Sequence, residues 1–274
     1  MIDASSRLEL EPTDRAAGAV VRGIDFSTTP EESTVDAIRQ ALTEYGVLLF
    51  RGNGMGEAEQ IDFTRSFGEV TGHPLGRIGG NAPDEADANT FYLTNEPEEN
   101  PADTAGGGEL GWHTDLEYMP EPQVYSVLCA LEVPPEGGET EYCNLRAAYD
   151  ALDNETSERI EKLQAERQFV RDREPVVHPL VRVLPGSGKK SLYLSPGLTH
   201  RVVGLDEAES RALLDQLFDH IVQEPFCWKH EWQQGDVLMW DNRLTIHRRH
   251  AFDLSRRRVV RRTQTVGEPV VGVA

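Results

Sequence analysis

From Val124 to the end, the chain is written mostly in short runs of β-branched and aromatic residues broken by glycine and proline. The runs 124–131, 139–143, 167–171, 180–184, 191–195, 226–232, 237–241 and 258–266 each read as one strand. That many short strands would expose long unpaired edges in a single open sheet, so they point to a closed or double-sheet architecture such as a jelly roll. Two helical interruptions are expected, at about 145–165 and 207–223. The second opens with Asp206 and Glu209 in capping-box spacing, and Leu213, Leu214, Leu217, Phe218 and Ile221 supply its apolar face.

The first half is more mixed. Thr29-Pro30-Glu31-Glu32 reads as a capping box with Pro30 at the first helical position, and Val35, Ile38 and Leu42 carry that helix to about Tyr45. Val47-Leu48-Leu49-Phe50 reads as a buried strand and residues 57–67 as a second helix. Between Pro74 and Gly111 the text turns rich in Gly, Asn, Asp, Glu and Pro around one short strand, Phe91-Tyr92-Leu93. An irregular stretch of that length inside a compact chain is expected to be an active-site lid, at about 75–111. With no repeat and no linker, residues 1–274 are expected to form one domain.

Composition narrows the function. A net charge of −20 opposes nucleic acid, whose phosphates it would repel. No apolar run reaches the roughly 18 residues of a membrane span, so no membrane partner is expected. The first residues, Met1-Ile2-Asp3-Ala4-Ser5-Ser6, lack the basic-then-apolar order of a secretory signal, which suggests a cytoplasmic location. Cys129, Cys143 and Cys227 are odd in number and widely spaced, which speaks against a disulfide framework, and Cys129 and Cys143 read as plain core residues. The stretch Arg256-Arg257-Arg258 with Arg261-Arg262 is a cationic island in this acidic chain. Strand alternation would put Arg258 and Arg262 on a pocket face and Arg257 and Arg261 on a solvent face.

His113-Thr114-Asp115 and the distant His247 supply two imidazoles and a carboxylate, a set that can hold Fe(II) and leave three coordination positions open. In a strand, His113 and Asp115 would point to the same side. A satisfied polar pair at a strand end is the plain alternative for the short motif. No HExxH or added ligand cluster suggests a zinc hydrolase.

The strings GWHTD (111–115), GGET (137–140) and WDNRLTIH (240–247) resemble the taurine and 2,4-dichlorophenoxyacetate dioxygenase group of Fe(II)/2-oxoglutarate enzymes. The resemblance runs from VLLFRG (47–52) through FGEVTGHP (67–74), AAYDAL (147–152) and HPLVR (178–182) to RRTQT (261–265), most of the chain. It implies a mainly β fold with flanking helices, a double-stranded β-helix of the jelly-roll, cupin-like kind. It also implies a dioxygenase that uses Fe(II), 2-oxoglutarate and O2, forms a ferryl species, and releases succinate and CO2 while hydroxylating a small anionic sulfonate or carboxylate.

By the same resemblance, His113, Asp115 and His247 are the catalytic metal ligands, and Arg258 with Thr140 binds the far carboxylate of 2-oxoglutarate. A guanidinium fork suits that carboxylate. Arg262 and His73 match substrate-binding positions of the group. Desaturation or cyclisation by the same chemistry, and a non-catalytic metal- or metabolite-binding β-sandwich, are the competing readings. A homodimer or homotetramer is allowed for. His178, His200, His220, His230 and His250 have no such placement and read as structural or surface residues.

Overall fold

The computed structural model describes residues 8–52, 54–72, 89–96, 108–169 and 173–274. Its strands are β1 (Glu9–Pro12), β2 (Ala19–Arg22), β3 (Val47–Phe50), β4 (Val70–Thr71), β5 (Phe91–Thr94), β6 (Leu110–His113), β7 (Tyr125–Glu132), β8 (Thr140–Asn144), β9 (Gln164–Arg167), β10 (Val176–Pro179), β11 (Val181–Val183), β12 (Lys190–Leu192), β13 (Thr199–Val202), β14 (Cys227–His230), β15 (Val237–Asp241), β16 (Thr245–Arg249) and β17 (Val259–Thr265). The helices are α1 (Glu32–Tyr45), α2 (Glu57–Arg65), α3 (Leu145–Asp150), α4 (Asn154–Ile160) and α5 (Glu207–Ile221).

Two sheets dominate. The larger runs β1-β2-β3-β15-β7-β17-β4, with β5 also paired to β17, and the smaller runs β14-β8-β16-β6. Period-two alternation sorts their side chains into layers. Leu48, Phe50, Val237 and Met239 pack under Val35, Ile38 and Leu42 of α1 and Phe63 of α2. Their neighbours Val47, Leu49, Leu238 and Trp240 face the other way and meet Tyr142 of the small sheet. On the far side of the small sheet, Cys143, Ile246 and Cys227 pack against Leu213, Leu214, Leu217 and Ile221 of α5. The space between the two sheets is where β6, β8, β16 and β17 turn their inward side chains.

Several expectations are corrected by local chemistry. The helix expected over 145–165 is two short helices, because Asp153 opens a new one by accepting the Thr156 N–H at 2.8 Å. α1 begins at Glu32 with Glu31 as an extended cap that makes no side-chain bond, so Thr29-Pro30 stay outside it. Asp206 does cap α5, accepting from Glu209 N at 2.8 Å. Cys143 and Cys227 are disulfide-linked rather than unpaired core thiols. They stand directly opposite on β8 and β14, Cα–Cα 4.0 Å, a pairing that sequence spacing hides. Of the expected lid, the structure describes 89–96 and 108–111, where β5 lines up on β17 with Phe91 opposite Arg262. No helix among the described residues is long and apolar enough to cross a membrane.

Candidate active site

His113 ends β6 and His247 lies opposite it in the register of β16, so the strand pairing itself brings the two imidazoles together, ring centroids 4.2 Å apart. Asp115 arrives differently from the expectation. It does not share a strand face with His113 but starts the turn 115–118 just after β6, where Leu116 takes a left-handed φ of 53°. The Thr114 hydroxyl pins that turn to Thr245 O at 2.9 Å. Asp115 Oδ1 then lies 3.9 Å from His113 Nε2 and 3.7 Å from His247 Nε2. All three potential ligand atoms fall within 4.8 Å of one another.

The second atoms of His113 and Asp115 are held in ways that suit a metal. The His113 Nδ1 N–H donates to Gly111 O at 2.8 Å, which leaves the Nε2 lone pair facing inward. Asp115 Oδ2 accepts from Ser126 Oγ at 2.8 Å and from Arg262 Nη2, which leaves Oδ1 facing the imidazoles. Burial pushes the Asp115 carboxyl up, but Arg262, His247 and His113 outweigh it and hold it down at about 2. Burial lowers both histidines and favours the neutral imidazoles that coordinate metals. A carboxylate and two neutral imidazoles around an open centre fit Fe(II).

A polar network behind the carboxylate was not read from the sequence. Asn242 Nδ2 and Gln264 Nε2 each donate to Ser126 Oγ at 2.9 Å, so the Ser126 hydroxyl hydrogen is directed to Asp115. Gln264 follows Arg262 by two on β17, and that spacing was the one available signal. The turn is also gripped from outside. Glu117, fully buried, lies 3.6 Å from the fully buried Arg167 Nε and accepts from Thr199 Oγ1 at 3.2 Å. Burial pushes the Glu117 carboxyl up to about 7 against the pull of Arg167. Met119 O accepts from His178 Nε2 at 2.9 Å, and Gly197 N donates to Trp112 O at 3.1 Å. A Cβ at Gly197 would sit 2.7 Å from Trp112 O, so only glycine lets the chain pass there.

Arg258 and Arg262 are both buried, as a pocket pair would be. Gly137 and Gly138, at φ 78° and 70°, carry the lead into β8 close under Phe252, and a Cβ on Gly138 would lie 3.5 Å from Arg258 Nε. Thr140 follows two residues later, buried, with its Oγ1 accepting from Trp232 Nε1 at 3.0 Å, so its own O–H stays available to donate. Arg262 lies 5.3 Å over the Phe91 ring and 5.5 Å from Trp240, and its buried Nε has no hydrogen-bond partner among the described residues. The solvent pair is half wrong. Arg257 is exposed and paired with Glu132, whereas Arg261 is buried beneath α2, donating to Gln60 Oε1 at 2.8 Å and to Met55 O.

Tyr118 and Phe169 stack at 5.1 Å beside the turn, an aromatic wall the sequence did not announce. His73 lies outside the described residues. His178, His200, His220 and His250 each hydrogen-bond a carbonyl or carboxylate, and His230 is buried 3.1 Å from Asp236.

The model of the taurine catabolism dioxygenase TauD, TfdA family matches residues 9–264. The chain belongs to the TauD/TfdA family. It is 36% identical to the alpha-ketoglutarate-dependent 2,4-dichlorophenoxyacetate dioxygenase of Cupriavidus pinatubonensis, over 93% of this chain and 96% of that one. It is 31% identical to the (S)-phenoxypropionate/alpha-ketoglutarate-dioxygenase of Sphingobium herbicidovorans, over 97% of each. A crystal structure of a taurine dioxygenase from Burkholderia xenovorans superposes with TM-score 0.81 at 30% identity, covering 97% of this chain and 96% of that one. This TauD/TfdA member is therefore a 2-oxoglutarate-dependent dioxygenase using Fe(II) and O2. The non-catalytic β-sandwich reading falls away.

Proposed function

We propose that this enzyme hydroxylates a small organic anion, a sulfonate or carboxylate, on a double-stranded β-helix formed by its two facing sheets. In this reading His113 Nε2, His247 Nε2 and Asp115 Oδ1 hold Fe(II), Arg258 and Thr140 hold the distal carboxylate of 2-oxoglutarate, and Arg262 with His73 receives the substrate anion. With the metal and both cosubstrates bound, 2-oxoglutarate goes to succinate and CO2, and one oxygen atom of O2 goes to the substrate. The observation that carries the reading is the convergence of one ligand atom from each of the three residues, with the second atoms of His113 and Asp115 held by Gly111, Ser126 and Arg262.

The protein's own work is placement. Gly111 O sets the His113 ring, Ser126 and Arg262 set the carboxylate, and Trp232 turns the Thr140 hydroxyl outward as a donor. The Arg262 guanidinium has its Nη2 edge on Asp115 and Ser126 and its Nε still to satisfy, which suits a second anion beside the metal. Stacked Tyr118 and Phe169 support an apolar far end for that anion. Relatives named for dichlorophenoxyacetate and sulfate esters fit an anionic substrate class. A cytoplasmic setting, where 2-oxoglutarate is a central metabolite, fits the same reading.

Small sulfonates, aryloxy acids and amino-acid derivatives should be screened for substrate-dependent succinate release. With the active anion in hand, Arg262→Ala should raise its KM by roughly ten- to hundredfold, the worth of a charge-assisted hydrogen bond. At saturating metal, the affinity for 2-oxoglutarate should stay within about twofold. Equal loss of both affinities would show that the two arginine roles are misassigned.

A further inference from the structure

Tyr142 is wholly buried between the two sheets, and its hydroxyl has no hydrogen-bond partner among the described residues. Its ring stacks on His247 at 5.6 Å and 22° and lies 5.5 Å from Trp240. Packing alone does not ask for the oxygen: a phenylalanine ring would fill the same space, and an unsatisfied buried hydroxyl costs free energy.

The strand geometry says what lies beside that hydroxyl. On β8 the alternating side chains sort cleanly, with Cys143 in the outer core and Tyr142 in the inner one. Thr140, two residues before Tyr142, therefore shares its inward face. In the register of β8 on β16, Tyr142 stands opposite His247, the metal end, whereas Thr140 stands opposite Arg249, towards the Arg258 end. Residues two apart on a strand are about 7 Å apart. A five-carbon dicarboxylate built from bonds of about 1.5 Å has a similar reach. A molecule bound to the metal at one end and to Arg258 and Thr140 at the other must run alongside Tyr142. A phenol keeps its proton at neutral pH and so offers one O–H donor.

We propose that the Tyr142 hydroxyl is a further cosubstrate-binding group, donating a hydrogen bond to an oxygen of 2-oxoglutarate between the metal and the Arg258 clamp. The proposal rests on the dioxygenase site as assigned above. The ring holds its place by stacking, so the contact costs little reorganisation when the cosubstrate arrives.

The test is Tyr142→Phe, which keeps the ring and removes only the oxygen. Binding of 2-oxoglutarate to the protein loaded with Mn(II) should be measured by calorimetry, with Mn(II) affinity and thermal unfolding of the free protein measured beside it. The dissociation constant for 2-oxoglutarate should rise about tenfold or more. Mn(II) affinity should be unchanged, and the melting temperature of the free protein unchanged or higher, since an orphan hydroxyl has been removed. Unchanged 2-oxoglutarate binding in Tyr142→Phe would overturn the proposal. So would a lowered melting temperature, which would mean that the hydroxyl has a partner in the free protein. Failure of the unaltered protein to bind 2-oxoglutarate with Mn(II) would instead overturn the site assignment beneath it.

Discussion

Asp115→Ala is expected to lower succinate formation by more than about a thousandfold and to leave the purified protein unable to retain Fe(II). A bound metal supplies several kcal/mol of barrier lowering, and about 4 kcal/mol is already a factor of a thousand. Asp115 Oδ1 is the sole carboxylate atom facing both imidazoles among the described residues, so no neighbour substitutes for it. The substitution also leaves Arg262 buried without its carboxylate, so metal content should be measured on folded protein, after size exclusion and anaerobic Fe(II) loading. Turnover within a few-fold of the unaltered enzyme would remove Asp115 from the metal site.

The largest stability effect is expected at Arg167. Its guanidinium and the Glu117 carboxyl are both fully buried, and removing the arginine takes away the cation that lowers the Glu117 carboxyl, which must then be buried unpaired or take up a proton on folding. Arg167→Met should cost about 3–5 kcal/mol, seen as a fall in melting temperature on the order of 10 °C. The double variant Glu117→Gln/Arg167→Met should recover most of that loss, because no lone charge is then left inside. Glu117 also ties the metal-bearing turn to β9 and β13. Metal affinity of the folded single variant should therefore drop by roughly tenfold, as is common for supporting residues behind a ligand. Equal destabilisation by the single and the double variant would show that the pair is not what holds this region.

Much of this was legible in the letters because the relevant information is local. The strands at 237–241 and 258–266 and the Asp206 cap of α5 follow from short-range pattern, and the structure keeps them. His113, Asp115 and His247 were legible as a set because ligand chemistry restricts the residue types. What was lost depends on partners far away in sequence. Arg261 reads as a solvent-facing strand residue until α2 is laid over it and Gln60 meets its guanidinium. Cys143 and Cys227 read as unrelated until β8 and β14 pair in register. Asp115 reads as a strand neighbour of His113, while the left-handed Leu116 behind it is an ordinary leucine to any propensity scale. Ser126, Glu117 and Arg167 carry no motif, and they matter only through the distances the fold gives them.

The central claim is that His113, Asp115 and His247 hold an Fe(II) to which 2-oxoglutarate chelates, with Arg258 and Thr140 at its far end. Optical spectroscopy of the anaerobic protein with Fe(II) and 2-oxoglutarate tests it most directly. A weak visible metal-to-ligand charge-transfer band should appear only when both are present, and it should vanish in Asp115→Ala. A protein that stays colourless under those conditions, or an Asp115→Ala variant that keeps the band, would contradict the account.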